Sequence, residues 1–280
     1  MIMNDPASPY ALGNTDAEHE RLIRQAARLA PLTERLFREA GIGPGQRVLD
    51  LGSGAGDVAM LVARIVGPSG EIVGVERDTH SISIARSRVA EAGLRNVNFT
   101  QSDVSQVPSN KPFDAAVGRF ILEFLPDPVA VLRSSSQLVR PGGILAFHEV
   151  SYAPVLLLSA HLPLWSAAAS LTQEIFRRSG ANTEIGLALY RIFKEAGLPA
   201  PTMRMEIPLG TDPDFTQWIY DLLCSLRPQI QQHNSALKTL GDFDTLPLRL
   251  QAEVAASATV VPYIALVGAW SHKPPDETSA

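Results

Sequence analysis

Apolar positions along this chain change period repeatedly. Short unbroken apolar runs read as strands buried on both faces, and between them apolar residues spaced by three and four read as helices. Thr15-Asp16-Ala17-Glu18 has capping-box spacing, so a helix starts at Asp16, with Leu22, Ile23, Ala26, Ala27 and Leu29 on its apolar face. Pro31 is expected to break or bend it, and a second helical run from Leu32 to Ala40 ends at Gly41. Strands are then expected at 47–51, 71–75, 97–100, 113–118 and 144–150. Val58, Leu61, Val62, Ile65 and Val66 form the buried stripe of a first crossover helix, Ser81 to Ala92 a second, and Ile185 to Ala196 a later one. Met203 to Leu209 and Val260 to Trp270 read as two last strands. Residues 154–181 and 211–258 hold large apolar residues at helical spacing and read as insertions.

Length and composition fit one domain over 1–280, enlarged by those insertions, with 1–40 as an N-terminal lid and 45–150 as a ligand-binding core. The net charge of -5 gives no basic footprint for phosphates, so nucleic acid is not an expected substrate. Cys224 is the single cysteine, which rules out an intrachain disulfide and points to a reducing compartment. The start, MIMNDPASPY, lacks the charged and apolar regions of a secretory signal, and no apolar run reaches the roughly 18 residues of a membrane span. A cytoplasmic protein with no membrane partner is expected. The six histidines are scattered, so no metal is expected.

The chemistry gathers at Arg47 to Asp57, RVLDLGSGAGD, a strand that runs through Asp50 into Gly52-Ser53-Gly54-Ala55-Gly56. Glycine lets the backbone approach a ligand closely, and the amides at the start of the next helix suit an anionic group. A dinucleotide fingerprint wants its third glycine one residue later. Asp50, placed two residues before the first glycine, instead resembles the class I S-adenosylmethionine (SAM) methyltransferase family. Four motifs in order across 45–150 carry the resemblance: this turn, the acid Glu76, Gln101-Ser102-Asp103-Val104, and Gly118-Arg119-Phe120 followed by Arg140-Pro141-Gly142-Gly143.

The resemblance implies an α/β fold with a Rossmann-like seven-stranded sheet, mostly parallel with an antiparallel edge strand. Helices should lie on both faces, with extra helical cap insertions. It implies SAM as cofactor and S-adenosyl-L-homocysteine as product. In that family Asp50 would pair with the cofactor's methionine ammonium, beside Gly52, Ser53 and Gly54. Asp103 and Val104 would meet the adenine, Gly118 and Arg119 the methionine end, and Tyr10 on the N-terminal arm would act as a lid. Glu76, at a strand end about two dozen residues past the turn, can accept both ribose hydroxyls, and Arg77 can flank the adenine. Each has a plainer reading: Glu76 as a solvated acid, Asp103 as a turn former, Tyr10 as an anchor for the arm.

His148 and Glu149 close the fifth strand, where site residues collect in open α/β sheets, and alternation sends only one of them into a pocket. Glu149 is the first choice to orient the acceptor or take its proton, and His161 in the insertion is the second. A capping acid and a surface imidazole are the plainer alternatives. Phe120 should face the acceptor, and it and Trp165, with the other aromatics of the insertions, suggest a flat apolar molecule. The expected activity is methylation of a small aromatic or heteroaromatic metabolite in secondary metabolism, at carbon, nitrogen or oxygen. The alternatives are a quinone-ring C-methylase and a protein that holds SAM without transferring its methyl. The insertions could also form a dimer surface.

Overall fold

The computed structural model describes residues 16–231 and 240–275, which form two compact units. The first gathers residues 16–21, 151–184 and 207–265, and the second gathers 22–150, 185–206 and 266–275.

The second unit is the sheet unit. Its strands are β1 (Arg47–Leu51), β2 (Glu71–Glu76), β3 (Val97–Gln101), β4 (Phe113–Arg119), β5 (Val139–Ser151), β6 (Thr202–Glu206) and β9 (Ala265–His272), in the order β3-β2-β1-β4-β5-β9-β6. Those from β1 to β5 pair in parallel, and β6 runs antiparallel to β9 at the edge, with Arg204 opposite Gly268. This is the expected seven-stranded, mostly parallel architecture.

Strand alternation sorts the core into two layers. Val48, Ile72, Ala115, Val117, Ile144 and Ala146 share one face, covered by α1 (Asp16–Glu39), α2 (Asp57–Val66) and α3 (Thr79–Glu91). Leu49, Leu51, Leu145 and Phe147 point the other way, toward α4 (Pro128–Leu138) and α7 (Ile185–Glu195), where the Phe147 and Phe193 rings meet edge to face at 6.3 Å. Apolar cover on both sides explains why the strands read as near-continuous apolar runs.

Three expectations need correction. Pro31 does not end the first helix: α1 continues to Glu39. A proline inside a helix costs about 3 kcal/mol, and the buried Leu29, Leu36 and Phe37 on either side of it offset that, at about 1.5–3 kcal/mol for each large side chain. The fifth strand begins at Val139, before the Pro-Gly-Gly step, because Val139 pairs with Phe113 ahead of an irregularity in the ladder. The last two strands are each split. The breaks fall at Ile207-Pro208 and at Tyr263-Ile264, just after Pro262, and a proline has no amide to continue a ladder. What remains beyond them is a separate ribbon, β7 (Leu209–Gly210) with β8 (Val261–Pro262).

That ribbon belongs to the first unit, a helical one. The expected insertion at 154–181 is a pair of helices, α5 (Ala153–Leu158) and α6 (Pro163–Arg178). The later insertion holds α8 (Pro213–Ser225), α9 (Arg227–Gln231) and α10 (Leu246–Ser257), and α6, α8 and α10 pack on one another. Among the described residues, no helix is long and apolar enough to cross a membrane.

Gly74 interrupts the β-branched run of β2 for a steric reason. A Cβ there would lie 2.6 Å from the Phe99 ring and 2.9 Å from Ser53 Oγ. Gly74→Ala is expected to destabilise the protein by about 1–3 kcal/mol in urea unfolding through overpacking. An unchanged midpoint would contradict that account.

Candidate functional site

The sheet reverses its winding between β1 and β4, which opens a crevice at the carboxyl ends of those strands. Asp50 sits there, in register with Gly74 on one side and Val117 on the other. It is 1% exposed, and its Oδ2 has no hydrogen-bond partner. Burial pushes its carboxyl up to about 8, against the pull of the Arg119 guanidinium and the Ala59 amide. An unpaired buried carboxyl is costly for the folded protein, so its presence calls for a compensating partner.

The turn after Asp50 is held open by backbone geometry. Gly52, Gly54 and Gly56 all have positive φ, at 66°, 50° and 85°. At Gly52 a Cβ would also lie 2.5 Å from Cδ1 of Ile121, so only hydrogen fits. Ser53 N–H donates to the Val75 carbonyl at 3.0 Å, while Ser53 Oγ is buried without a partner. Gly54 N–H donates to Glu76 Oε2 at 3.0 Å, and Glu76 Oε1 accepts from the amides of Arg77 (2.8 Å) and Asp78 (2.9 Å). From α3, Arg88 donates to the Ala55 carbonyl and pairs with Asp57 at 2.7 Å. The turn is therefore pinned to β2 and α3, with its remaining polar atoms left available.

A second set of groups follows β4 and β5. Phe120 is left-handed, with φ 55°, a conformation that costs a non-glycine residue about 1–3 kcal/mol. It is held by its amide, which donates to the His148 carbonyl at 3.2 Å, and by Glu149 Oε1, which accepts from the amides of both Ile121 and Leu122 at 3.1 Å. Glu149 Oε2 is buried without a partner, and burial lifts this carboxyl to about 7 despite the amides. Glu123, buried nearby, is pushed well above the usual carboxylate range by burial and by the charge of Glu149.

His148 points to the opposite face of β5. Burial, reinforced by the charges of Arg119 and Arg35, drives its imidazole down to about 3, so it is neutral at physiological pH. Its Nδ1 lies 3.2 Å from Thr33 Oγ1, which also accepts from Arg119 at 3.1 Å. These groups tie α1 to the sheet beside a cleft of about 300 Å³ lined by Ala26, Ala30, Asp57, Met60, Arg88 and Arg119.

Asp50, Gly52, Ser53, Gly54, Glu76, Gly118 and Arg119 thus meet at the ends of β1, β2 and β4, with Phe120 and Glu149 just beyond. Arg77 is exposed after β2. Asp103 is exposed too and accepts from the amide (2.8 Å) and hydroxyl (2.5 Å) of Ser105, bonds that hold its carboxyl below the usual range; Val104 beside it is buried. His161 and Trp165 belong to the helical unit. His161 is exposed, with Nε2 3.1 Å from Thr259 Oγ1, and Trp165 is fully buried. Tyr10 lies outside the described residues. Among those residues, no group of three histidine, cysteine or acidic side chains could hold a metal ion.

Reading the sequence missed Thr33, Ile121, Gly74 and Glu123. Only Gly74 carried a signal, a glycine inside an apolar strand.

The raised Asp50 carboxyl sets an expectation for stability. An acid whose pKa is higher folded than unfolded favours folding below its unfolded value, and that advantage fades as pH rises from about 4 to 8. Asp50→Asn is therefore expected to stabilise the ligand-free protein, by little at pH 5 and by roughly 1–4 kcal/mol at pH 8. Thermal unfolding across that range checks it, and a difference independent of pH would contradict it.

A family model described as a methyltransferase domain matches residues 42–197. Over 116 residues the chain is 35% identical to the ubiquinone/menaquinone biosynthesis C-methyltransferase UbiE of Coxiella burnetii, covering 40% of this chain and 46% of that one. Over 112 residues it is 34% identical to an arsenite methyltransferase of Halobacterium salinarum, covering 40% of this chain and 29% of that one. The matches therefore span less than half the length of these relatives. The crystal structure of the YcgJ protein from Bacillus subtilis shares the fold at a TM-score of 0.58 and 17% identity, covering 89% of this chain and 99% of that one. With more than half of its length matched, the chain belongs to the methyltransferase-domain family, the class I SAM-dependent methyltransferases.

Proposed function

We propose that this protein transfers the methyl group of SAM to a small, flat aromatic or heteroaromatic metabolite, in secondary metabolism. The observation that carries the reading is Asp50: a buried carboxyl with an unpartnered oxygen at the end of β1, beside a turn in which three glycines have positive φ. That combination fits a ligand with a cationic amine on a nucleoside, and it does not fit a pyrophosphate, which carries no cation for the acid to receive.

When bound, SAM supplies a methyl group already activated on a sulfonium. The protein's part is then to align the acceptor and exclude water. Asp50 would receive the ammonium, and Glu76, steadied by three amides, would receive the ribose hydroxyls. Arg119 offers a positive charge to a carboxylate, and Asp103 and Val104 would meet the base. Phe120, just past the end of β4, would face the acceptor.

Glu149 is the group we assign to the acceptor's proton. One of its oxygens is fixed by two amides, the other is unpartnered, and the carboxyl is poised near neutrality, as a general base should be. A second reading, a quinone-ring C-methylase, is favoured by the likeness to UbiE. Such an enzyme would bind a prenyl tail and float with liposomes, which an enzyme of small tail-free aromatics would not.

Two outcomes test this. Incubation with methyl-labelled SAM and fractionated metabolites should yield a labelled aromatic product, whereas tight SAM binding with no label transferred would leave a protein that only holds the cofactor. Glu149→Gln keeps an oxygen for the two amides, so SAM affinity should stay within about threefold while kcat falls about 100-fold or more, in the range for loss of general-base catalysis. Wild-type turnover would remove Glu149 from the chemistry.

A further inference from the structure

Arg119 and His148 are paired in register on β4 and β5, so their side chains leave the sheet on the same face, the one covered by α1. Thr33 of α1 lies over both. Its hydroxyl donates to the Leu29 carbonyl at 3.2 Å, one turn back along the helix, and accepts from Arg119 Nη1 at 3.1 Å, with His148 Nδ1 at 3.2 Å. A hydroxyl has one proton and two lone pairs, so with the imidazole proton on Nδ1 all three bonds are made at once. The carbonyl of the same His148 accepts from the Phe120 amide at 3.2 Å. One residue of β5 thus braces the backbone just past Arg119 and, through Thr33, the guanidinium itself.

Packing alone would be served by valine, which has the shape of threonine, yet Thr33 is completely buried with its hydroxyl turned to this use. A hydroxyl fixes the direction of a guanidinium without cancelling its charge, as a carboxylate would. Beside it, Arg119 lines the cleft of about 300 Å³, whose walls include Ala26, Ala27 and Ala30 of α1 and Met60 and Leu61 of α2. Asp50 is in register with Val117, two residues before Arg119, and so shares that face of the sheet. The Arg119 charge reaches it and pulls its carboxyl down against the effect of burial. An acid and a guanidinium on one face of neighbouring strands are complementary to the two charges of an α-amino acid.

The geometry points to Thr33 as a positioning residue for the cofactor: its hydroxyl, seated by Leu29 and His148, fixes the Arg119 guanidinium to receive the carboxylate of the methionine end while Asp50 receives the ammonium. The inference rests on the reading of Asp50 and Arg119 given above, and it goes beyond that reading by placing selectivity for the carboxylate on the helix that precedes the sheet. Every group it uses belongs to the sheet unit.

The probes are S-adenosyl-L-homocysteine and its decarboxylated form, which keeps the amine and the nucleoside and lacks only the carboxylate. Calorimetry on the full chain should show the first binding about 10-fold more tightly, the worth of a hydrogen bond to a charged group. Thr33→Val should bring that preference to within about twofold by weakening the carboxylate-bearing ligand alone, and Thr33→Ser, which returns the hydroxyl, should restore it. Thr33→Ala, smaller and equally without a hydroxyl, should match the valine variant. In Arg119→Met the preference should vanish, and adding Thr33→Val should then change neither affinity, because the two residues act as one unit. A preference that survives Thr33→Val and Thr33→Ala would overturn the inference. So would an equal loss of both ligands, or a serine variant that fails to restore the preference, since either marks a merely structural hydroxyl. An Arg119→Met variant that keeps the preference would strike the carboxylate role of Arg119 and this inference with it, and a wild type that binds neither probe would strike the cofactor reading as a whole.

Discussion

A buried acid with one oxygen left unpartnered inside the fold governs the arrangement of this molecule. Asp50 lies on a central strand, flanked in register by Gly74 and Val117, where water cannot stabilise its charge. The Arg119 charge and one backbone amide reduce the penalty without removing it, and the carboxyl stays near 8. A packed apolar residue in that place would stabilise the sheet more. The acid is retained beside a turn that displays amides and glycines, which is the arrangement expected where binding has been favoured over stability.

Other strained or costly features gather at the same edge of the sheet. Phe120 is held left-handed, Glu149 is buried to anchor the turn that follows, and Glu123 is buried within reach of its charge. Phe120 and Glu149 are stabilised by specific backbone bonds, while the sheet and its two helical layers supply the apolar burial that tolerates all three.

Much of the sheet unit was legible because its signals are local. Buried parallel strands leave apolar runs, crossover helices leave a 3.6-residue stripe, and Gly41, Gly67 and Gly93 mark helix ends. Asp50 and the glycine turn were legible for the same reason. What escaped depends on contacts distant in sequence. Nothing near Thr33 announces that it meets His148 and Arg119, and nothing near Gly52 announces Ile121. The continuation of α1 through Pro31 is a case of tertiary packing outweighing local preference. The break of the last strands beside Pro208 and Pro262 is the reverse case, in which the alternation continues but a local lack of amides ends the pairing.

The most direct measurement of the central claim is calorimetric titration of the protein with SAM near pH 7, in two buffers of different ionisation enthalpy. Because Asp50 is protonated when free and must ionise to receive an ammonium, binding should release close to one proton, seen as an enthalpy that changes with the buffer, and Asp50→Asn should abolish that release together with most of the affinity. SAM binding of equal strength in Asp50→Asn, or binding to the wild-type protein with no proton released, would contradict the account.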